Sequence, residues 1–276
     1  MTTAITKAII PVAGWGTRRL PITKAIEKSM LPIGNRPLVD YVVSDCIAAG
    51  IRDIYFVVSE AGSQLERYYT PNQKLNDYLR ANGKEAKLPE VTPPEGVSFH
   101  FVVQDPTGKY GTSIPVALAA AAFAADESAV VLMGDDFLYS RDGTNDIKRL
   151  IDAATGGEAS IIGVEVPESA DISRYGVFKM TESGSLEAIV EKPTLEEAPS
   201  RLMNVSKYVL TAPFLAAIKQ HAASEVTGEY MITDPISDVI QNGETMRVVI
   251  AKGEYLDGGS VEGWLHANRV VLEDIA

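Results

Sequence analysis

A glycine-containing segment near the start of the chain carries groups that bind phosphate. It follows a short apolar run and reads Pro11-Val-Ala-Gly-Trp-Gly-Thr-Arg-Arg-Leu-Pro21. Gly14 and Gly16 allow a backbone to approach a ligand closely, consecutive N–H groups can hold phosphate oxygens, and Arg18 adds a charged fork. The spacing matches neither a dinucleotide fingerprint nor a P-loop. Taken alone, the segment predicts a phosphate site no more strongly than a tight turn.

Two acidic residues end a fully apolar run in the middle of the chain. The run Val130-Val-Leu-Met-Gly134 leads directly into Asp135 and Asp136. Mg²⁺ in proteins is typically held by one or two carboxylates together with phosphate oxygens and water. A carboxylate at the end of a buried strand suits that purpose. The pattern leaves open which of the two acids binds a metal ion and which caps a turn.

The elements that must position these groups alternate between strand and helix in the first half of the chain. Strands are predicted at Ala8 to Val12, Ile54 to Val58, Val97 to Val103 and Ala129 to Met133. Helices are predicted after Pro37 and from Ile114 to Ala124. Continuous apolar strands that alternate with helices indicate a parallel sheet covered on both faces.

The second half mixes strands and helices without a linker or a repeat. We therefore predict one Rossmann-like α/β domain over residues 1–276, with a mixed, mainly parallel sheet flanked by helices. Ligands of an open α/β sheet bind at the carboxyl ends of its strands. Both motifs described above follow strands, so the prediction places them at the same edge.

Composition narrows the class of protein further. The 276 residues are 46% hydrophobic and 22% charged, as in ordinary globular proteins, and the net charge of −12 disfavours a nucleic-acid partner. Cys46 is the single cysteine, so an intrachain disulfide is excluded and a reducing compartment is favoured. No apolar run reaches the length of a membrane span, and Met1 to Lys7 lacks a signal-peptide core. We expect a cytoplasmic protein with no membrane partner.

The extended pattern around the glycine loop resembles that of bacterial sugar-phosphate nucleotidyltransferases. Gly-x-Gly-Thr-Arg-x-Leu-Pro begins at Gly14, and Lys-x-Met-Leu-Pro begins at Lys28. The Pro-Val-Ala-Gly opening is most similar to that of UTP–glucose-1-phosphate uridylyltransferases. The resemblance implies that Arg18 and Lys28 neutralise the β- and γ-phosphates as catalytic residues. It also implies that the loop residues contact the nucleotide, namely Ala13, Gly14, Gly16 and Thr17.

The same resemblance covers the base pocket and also shows departures. It implies that Gln104, whose amide offers both a donor and an acceptor, reads the uracil edge, and that Gly111 lets backbone groups approach the base. The family usually has Pro-Lys-Glu where this chain has Glu27, Lys28 and Ser29. Loop rigidity and the charge near the triphosphate are therefore expected to differ from those of relatives.

Metal and sugar residues follow in family order. The resemblance implies that Asp135, also catalytic, and Asp257 of Tyr-Leu-Asp-Gly-Gly hold Mg²⁺. In the sugar-phosphate half, Gly176 is expected to contact the sugar through its backbone. Glu191 is expected to accept hydrogen bonds from its hydroxyls, and Lys192 to hold its phosphate.

Strand alternation would place Asn204 and Ser206 on one face, either toward the sugar or toward solvent. The family commonly has glycine at the position of Ser206 and a hydrophobic residue at that of Asn204. Thr233 or Asp234 can cap the helix that follows, and the segment that contains them is interpreted mainly as structural.

The resemblance implies a reaction between UTP and glucose 1-phosphate that gives UDP-glucose and pyrophosphate. A nucleotide-binding half, about 1–140, and a sugar-phosphate-binding half, about 141–276, would align the substrates for in-line attack with Mg²⁺. Two alternatives remain: thymidylyl or cytidylyl transfer to another sugar 1-phosphate, and a nucleotide-binding regulator without turnover, suggested by Glu27 and Ser29. Relatives are often dimers or tetramers, which allows a homo-oligomer.

Overall fold

Strands and helices alternate along the first half of the chain, as the apolar runs predict. The computed structural model describes residues 4–60, 63–154, 156–168 and 170–275, so the start of the Met1 to Lys7 segment lies outside it. The strands are β1 (Lys7–Pro11), β2 (Pro32–Ile33), β3 (Arg36–Pro37), β4 (Asp53–Val58), β5 (Ser98–Val103), β6 (Ala129–Leu132), β7 (Asp136–Tyr139), β8 (Ala159–Glu165), β9 (Gly176–Met180), β10 (Leu186–Glu191), β11 (Leu202–Leu210), β12 (Met246–Ile250) and β13 (Glu254–Asp257).

The helices are α1 (Leu38–Ala48), α2 (Gln64–Tyr68), α3 (Gln73–Ala81), α4 (Leu88–Val91), α5 (Ser113–Ala120), α6 (Asp146–Ala153), α7 (Ala212–Ala223), α8 (Thr233–Gln241) and α9 (Val261–Ile275). Short 3₁₀ turns cover Thr17–Arg19, Ile22–Lys24, Lys28–Met30 and Glu85–Lys87. In the described part of the chain, no helix combines the length and the apolar character needed to cross a bilayer.

A mixed sheet forms the centre of the molecule. Among the described residues it has nine strands, in the order β10-β9-β11-β6-β1-β4-β5, and β8 joins β11 and pairs with β12. β1 pairs in parallel with β4 and β6, and β4 pairs in parallel with β5, whereas β11 runs antiparallel to β6 and β8. The predicted α/β class with a mixed sheet is confirmed.

Two hydrophobic clusters cover the two faces of this sheet. Ala8 and Ile10 of β1 belong to the cluster that includes residues of α1, α6 and α9, while Ile9 belongs to the cluster with residues of α5, α7 and α8. Successive strand residues point to opposite faces, so β1 is apolar throughout because both faces are covered. Cys46 is fully buried in the first cluster, as the helical spacing predicts.

β11 changes neighbours halfway along its length. Its first part pairs with β9 at Met203 and its second part pairs with β6 from Lys207 onward. Its pairing with β8 shifts register between Asn204 and Tyr208, and Ser206 has a φ of 52°. The regular alternation assumed for Asn204 and Ser206 is therefore interrupted, because one residue adopts a left-handed conformation.

A buried ion pair joins β11 to a small second sheet made of β7 and β13. The Lys207 ammonium contacts the Asp136 carboxylate, and Tyr255 donates its hydroxyl to Asp136 Oδ2 at 3.0 Å. Burial raises the pKa of Asp136 to about 6, although the charge of Lys207 opposes this effect. The sequence left the role of Asp136 open, and in the structure its carboxylate is occupied by contacts with Lys207 and Tyr255.

We expect Lys207→Met to lower the free energy of unfolding by about 3 kcal/mol, because it leaves the Asp136 carboxylate buried without its partner. Lys207→Met combined with Asp136→Asn should recover most of this loss, since a neutral amide can still accept from Tyr255. Urea unfolding measures all three proteins.

The control is Lys87→Met, because Lys87 pairs with Glu90 on the surface. That change should alter the free energy of unfolding by no more than about 0.5 kcal/mol. Equal effects of the buried and surface substitutions would contradict the structural role of the buried pair.

Candidate active site

A cavity of about 480 Å³ lies at the carboxyl ends of β1, β5 and β6. Seven of the predicted site residues line it, which are Ala13, Gly14, Arg18, Lys28, Gln104, Gly111 and Asp135. Several residues that sequence reasoning did not assign to a site also line it, among them Trp15, Tyr110, Met133 and Glu229. The strand-end rule therefore places this edge correctly, and the ends of three strands that are distant in sequence meet there.

The segment from Pro11 to Pro21, here called the phosphate loop, contains two glycines, Gly14 and Gly16, that have different roles. A Cβ at Gly14 would meet no described protein atom within 4 Å, so the space beside it is open. Gly16 has a φ of 62° and begins the turn at Thr17–Arg19, and its carbonyl accepts from Thr23 Oγ1 at 2.9 Å. Two of the predicted loop residues, Gly16 and Thr17, do not line the cavity. Gly16 shapes the loop, and Gly14 faces the cavity.

Of the two departures from the family pattern, the structure explains the one at Glu27. The backbone N–H of Glu27 donates to Gln64 Oε1 at 2.9 Å, and the backbone N–H of Gln64 donates to the Glu27 carboxylate. This reciprocal pair ties the loop to α2, where a proline could not donate. Ser29 lines the cavity and is 2% exposed, and its hydroxyl has no hydrogen-bond partner among the described residues, so nothing in the structure explains a serine at this position. The cations Arg18 and Lys28 still line the cavity despite both departures.

The end of the cavity where the base is predicted to bind, around Gly111, contacts a segment that is distant in sequence. Tyr230 donates its N–H to Tyr110 O at 3.0 Å, and Ser113 donates to Tyr230 O at 2.9 Å. Gly111 has a φ of 121°, and a Cβ there would lie 2.5 Å from the Tyr230 backbone. Position 111 thus requires glycine because it packs against the Tyr230 backbone. The sequence predicted a different reason, namely that Gly111 lets backbone groups approach the base.

The first candidate metal ligand, Asp135, is paired with a cation that follows the phosphate loop. The Lys28 ammonium contacts Asp135 Oδ2. Burial alone would raise the pKa of Asp135, but the charges of Lys28, Lys207 and Arg18 outweigh it and hold that pKa below its ordinary value. Asp135 is therefore ionised at neutral pH, as a ligand for a hard cation must be.

The second candidate ligand, Asp257, ends β13 beside Asp135. Gly259 N donates to Asp257 Oδ1 at 2.7 Å, Ser260 Oγ donates to Asp257 Oδ2 at 3.0 Å, and Gly258 N donates to Asp135 O at 2.9 Å. These short contacts fix the carboxylate of one segment and join it to the other.

Gly259 shows that both carboxylates face one small space. A Cβ added there would lie 2.9 Å from Asp257 Oδ1, 3.5 Å from Asp135 Oδ2 and 3.4 Å from an Arg18 guanidinium nitrogen. Carboxylate oxygens suit Mg²⁺, so the residues fit such an ion. The described residues contain no cluster of three or more His, Cys, Asp or Glu able to hold a metal, so further ligands would be phosphate oxygens or water.

The three predicted sugar residues lie together at the ends of β9 and β10, outside the cavity lining. Gly176 pairs with Glu191, and a Cβ on Gly176 would lie 3.0 Å from Glu191 Oε1. Partial burial raises the pKa of Glu191, while Lys192 and a hydrogen bond with Thr233 oppose that rise. Lys192 N donates to Tyr175 O at 3.0 Å, with Lys192 at a φ of 47°.

Ser206 lines the cavity and contacts Tyr208, a residue that lies near the predicted sugar residue Glu191. Its N–H donates to Asn204 Oδ1 at 2.8 Å. Tyr208 donates its hydroxyl to Ser206 Oγ at 3.4 Å, and the charge of Glu191 contributes to raising the pKa of Tyr208 behind the larger effect of burial. Asn204 Nδ2 also donates to the Tyr208 hydroxyl, at 3.1 Å, so Asn204 and Ser206 both contact Tyr208.

The α8 segment differs from its prediction. Ile232 stands at the N-cap of α8, and no side-chain hydrogen bond caps the helix, so neither Thr233 nor Asp234 caps it. Thr233 is buried and hydrogen-bonds to Glu191 instead. The stretch around Tyr230 and Thr233 therefore contacts both residues 110–113, here called the base loop, and the predicted sugar residue Glu191.

A glycine loop suited to phosphate after the first strand, together with two facing carboxylates at strand ends, is typical of α/β proteins that act on nucleotides. The sequence model of the nucleotidyl transferase family matches residues 7–274. The chain belongs to this family, and the resemblance seen in its motifs is confirmed. Members of the family generally use a divalent metal ion.

Similar proteins give more detail. The UTP–glucose-1-phosphate uridylyltransferase of Streptococcus pneumoniae serotype 4 is 34% identical over 274 residues, covering 96% of this chain and 89% of that protein. A UDP-glucose pyrophosphorylase from Acinetobacter baumannii matches with a TM-score of 0.85 and 30% identity, over 98% and 99% of the two chains. A UTP-bound UGPase from the same organism matches with a TM-score of 0.85 and 31% identity, over 97% and 93%.

We expect Gly14→Ala to reduce UTP affinity by at least about 10-fold, because its methyl group would enter the space where a backbone must approach a ligand closely. The fold should not change, since the added Cβ meets no described protein atom within 4 Å. Calorimetric titration with UTP and urea unfolding measure the two effects.

Gly108→Ala is the matched control, because its Cβ would make only ordinary contacts, at 3.6 Å or more, outside the cavity lining. Undiminished UTP affinity in Gly14→Ala, or an equal loss in both variants, would show that Gly14 does not face the nucleotide.

Proposed function

We propose that this protein transfers a uridylyl group from UTP to glucose 1-phosphate, giving UDP-glucose and pyrophosphate. The observation that carries the proposal is the meeting of Arg18, Asp135 and Asp257 around Gly259, beside an open phosphate loop. The similar proteins named above act on these substrates or bind UTP, according to their names. A phosphoryl-type transfer needs this combination of alignment and charge neutralisation.

The nucleotide-binding part of the proposal rests on the cavity lining. In it, Ala13 and Gly14 lie beside the base and the phosphates, Arg18 and Lys28 neutralise the phosphates, and Gln104 reads the uracil edge. Gly16, Thr17 and Gly111 act through the loop conformations that they set. These residues belong to the proposed nucleotide-binding half, about residues 1–140.

The sugar phosphate is placed in the second half, about residues 141–276. Glu191 would accept hydrogen bonds from sugar hydroxyls, Lys192 would hold the phosphate, and the Gly176 backbone would lie against the sugar. These roles are supported by the position of the three residues at adjoining strand ends, where the charge of Glu191 acts on Tyr208.

Asp135 and Asp257 would hold Mg²⁺, which when bound supplies positive charge that neutralises the phosphate oxygens. A phosphate oxygen of glucose 1-phosphate attacks the α-phosphorus of UTP, and the bond to the β-phosphate oxygen breaks as pyrophosphate leaves. The attacking group is already an anion, so no general base is required. The protein contributes alignment, and Arg18 and Lys28 meet the charge that grows on the leaving group.

The direct test is pyrophosphate release measured over a panel of nucleoside triphosphates and sugar 1-phosphates. UTP with glucose 1-phosphate should give the highest kcat/KM. A higher value with thymidine or cytidine triphosphate, or with another sugar, would replace the proposed substrates. UTP binding without pyrophosphate release for any pair would indicate a regulator that lacks turnover.

Asp135→Asn and Asp257→Asn should each lower kcat by at least about 100-fold, because both changes remove charge that stabilises the transition state. EDTA should abolish activity, and Mg²⁺ should restore it. The control is Asp171→Asn, because Asp171 is an exposed acceptor for Ser173, away from the cavity. Full activity in either site variant would refute that residue's assignment.

Ser206→Gly should change the kcat/KM ratio among glucose, galactose and N-acetylglucosamine 1-phosphates, since Ser206 lines the cavity and contacts Tyr208, which lies near Glu191. It should also raise the free energy of unfolding by about 1 kcal/mol, because glycine adopts a left-handed conformation without strain.

The two readouts of Ser206→Gly have different meanings. Greater stability with an unchanged substrate ratio would show that Ser206 is strained but lies outside the sugar site. The KM for UTP serves as the internal control and should stay constant.

A further inference from the structure

Arg19 is a buried arginine next to the cavity that belongs to no assigned site. Only 4% of the residue is exposed, and its Nε atom has no hydrogen-bond partner among the described residues. Burial lowers the pKa of the Arg19 guanidinium, while the charges of Asp257 and Glu262 oppose that change. Burying an incompletely paired charge costs free energy, so packing alone does not explain an arginine here.

The guanidinium of Arg19 contacts the segment that carries Asp257. Its Nη1 donates to the backbone carbonyl of Ser260, and its central carbon lies 5.0 Å from the ring centroid of Trp264. Trp264 in turn donates its indole N–H to Pro32 O at 2.8 Å. The beginning of α9 is thus fastened both to the phosphate loop and to the chain that follows Lys28.

Ser260 links this contact to the Asp257 carboxylate. The Ser260 hydroxyl donates to Asp257 Oδ2 at 3.0 Å and accepts from Gly263 N at 3.0 Å. A shift of the Ser260 backbone would therefore move a hydrogen-bond donor of Asp257. Arg19 fixes that backbone from the phosphate loop, while its neighbour Arg18 lines the cavity and approaches Gly259.

We propose that Arg19 is a positioning residue that couples nucleotide binding at the phosphate loop to metal binding at Asp257. The proposal rests on the proposed function, since it needs Asp257 to be a metal ligand. A ligand that orders the loop also orders Arg19, and Arg19 holds Ser260 where its hydroxyl orients the carboxylate. By reciprocity, the metal ion strengthens nucleotide binding through the same residue.

The test measures this coupling without turnover. The Kd of UTP is determined by isothermal titration calorimetry without Mg²⁺ and at saturating Mg²⁺, and the ratio of the two values is the coupling factor. Arg19→Met, which keeps the side-chain length and removes the charge, should lower that factor about 10-fold. The free energy of unfolding should stay the same or rise, because an apolar side chain replaces a buried charge.

A double-mutant cycle separates positioning from general damage. Asp257→Asn should also lower the coupling factor, and Arg19→Met added to it should lower it no further, because both act on the same carboxylate. Arg19→Lys should restore part of the factor. The matched control is Arg36→Met, because the Arg36 guanidinium lies 4.5 Å from the Tyr41 ring and away from the cavity. Its coupling factor should equal that of the unchanged protein.

Each remaining outcome has a distinct meaning. A normal coupling factor in Arg19→Met, or additive losses in the double variant, would overturn the role of Arg19. A normal factor in Asp257→Asn would instead overturn the metal assignment on which the proposal rests. If Arg19→Met does not fold, hydrogen exchange in Arg19→Lys tests the same contact. Faster exchange of the Gly259 amide is expected, and unchanged exchange would overturn the proposal.

Discussion

The buried ion pair between Lys207 and Asp136 is the contact on which the arrangement of the acidic residues depends. Lys207 comes from β11, Asp136 begins β7, and Tyr255 of β13 donates to the same carboxylate. Asp136 lies opposite Asp257 in the β7–β13 register, and Asp135 is its chain neighbour. Fixing Asp136 therefore brings Asp135 and Asp257 side by side, although 121 residues of sequence separate them. The pair provides specificity of arrangement more than stability, since an apolar replacement of a buried pair is often no less stable.

An acidic protein that binds anionic substrates must concentrate its cations. With a net charge of −12, the chain places Arg18, Lys28 and Lys207 around Asp135. Lys28 contacts that carboxylate directly, and all three cations hold its pKa low. The carboxylate thus stays ionised despite burial, and it keeps a lysine at the cavity wall next to the proposed phosphates. Local charge, not overall charge, determines what the site can bind.

The sequence predicted the strands of the first half and the edge of the sheet where the cavity lies, because apolar runs and strand-end loops are local signals. It did not predict β7, β13 or α6. The pairing of β7 with β13 is a long-range contact that no local pattern contains. The start of α6 was signalled by Asn145, which caps the helix by accepting from Lys148 N. Ser206 adopts a left-handed conformation that serine disfavours, and the requirement for glycine at 111 comes from packing against Tyr230. Neither geometry could be predicted from the neighbouring residues in sequence.

Catalysis by alignment requires the two halves of the proposed site to keep a fixed distance, because small misplacement of reacting groups is costly. Two features of the fold supply that constraint. β11 reaches from β6, beside the candidate metal ligands, to β9, beside the predicted sugar residues, and Ser206 at its irregularity lines the cavity. The segment from Tyr230 to Thr233 holds the base loop at one end and contacts Glu191 at the other. The segment from Tyr230 to Thr233, which the sequence associates with helix capping, therefore connects the two proposed substrate pockets.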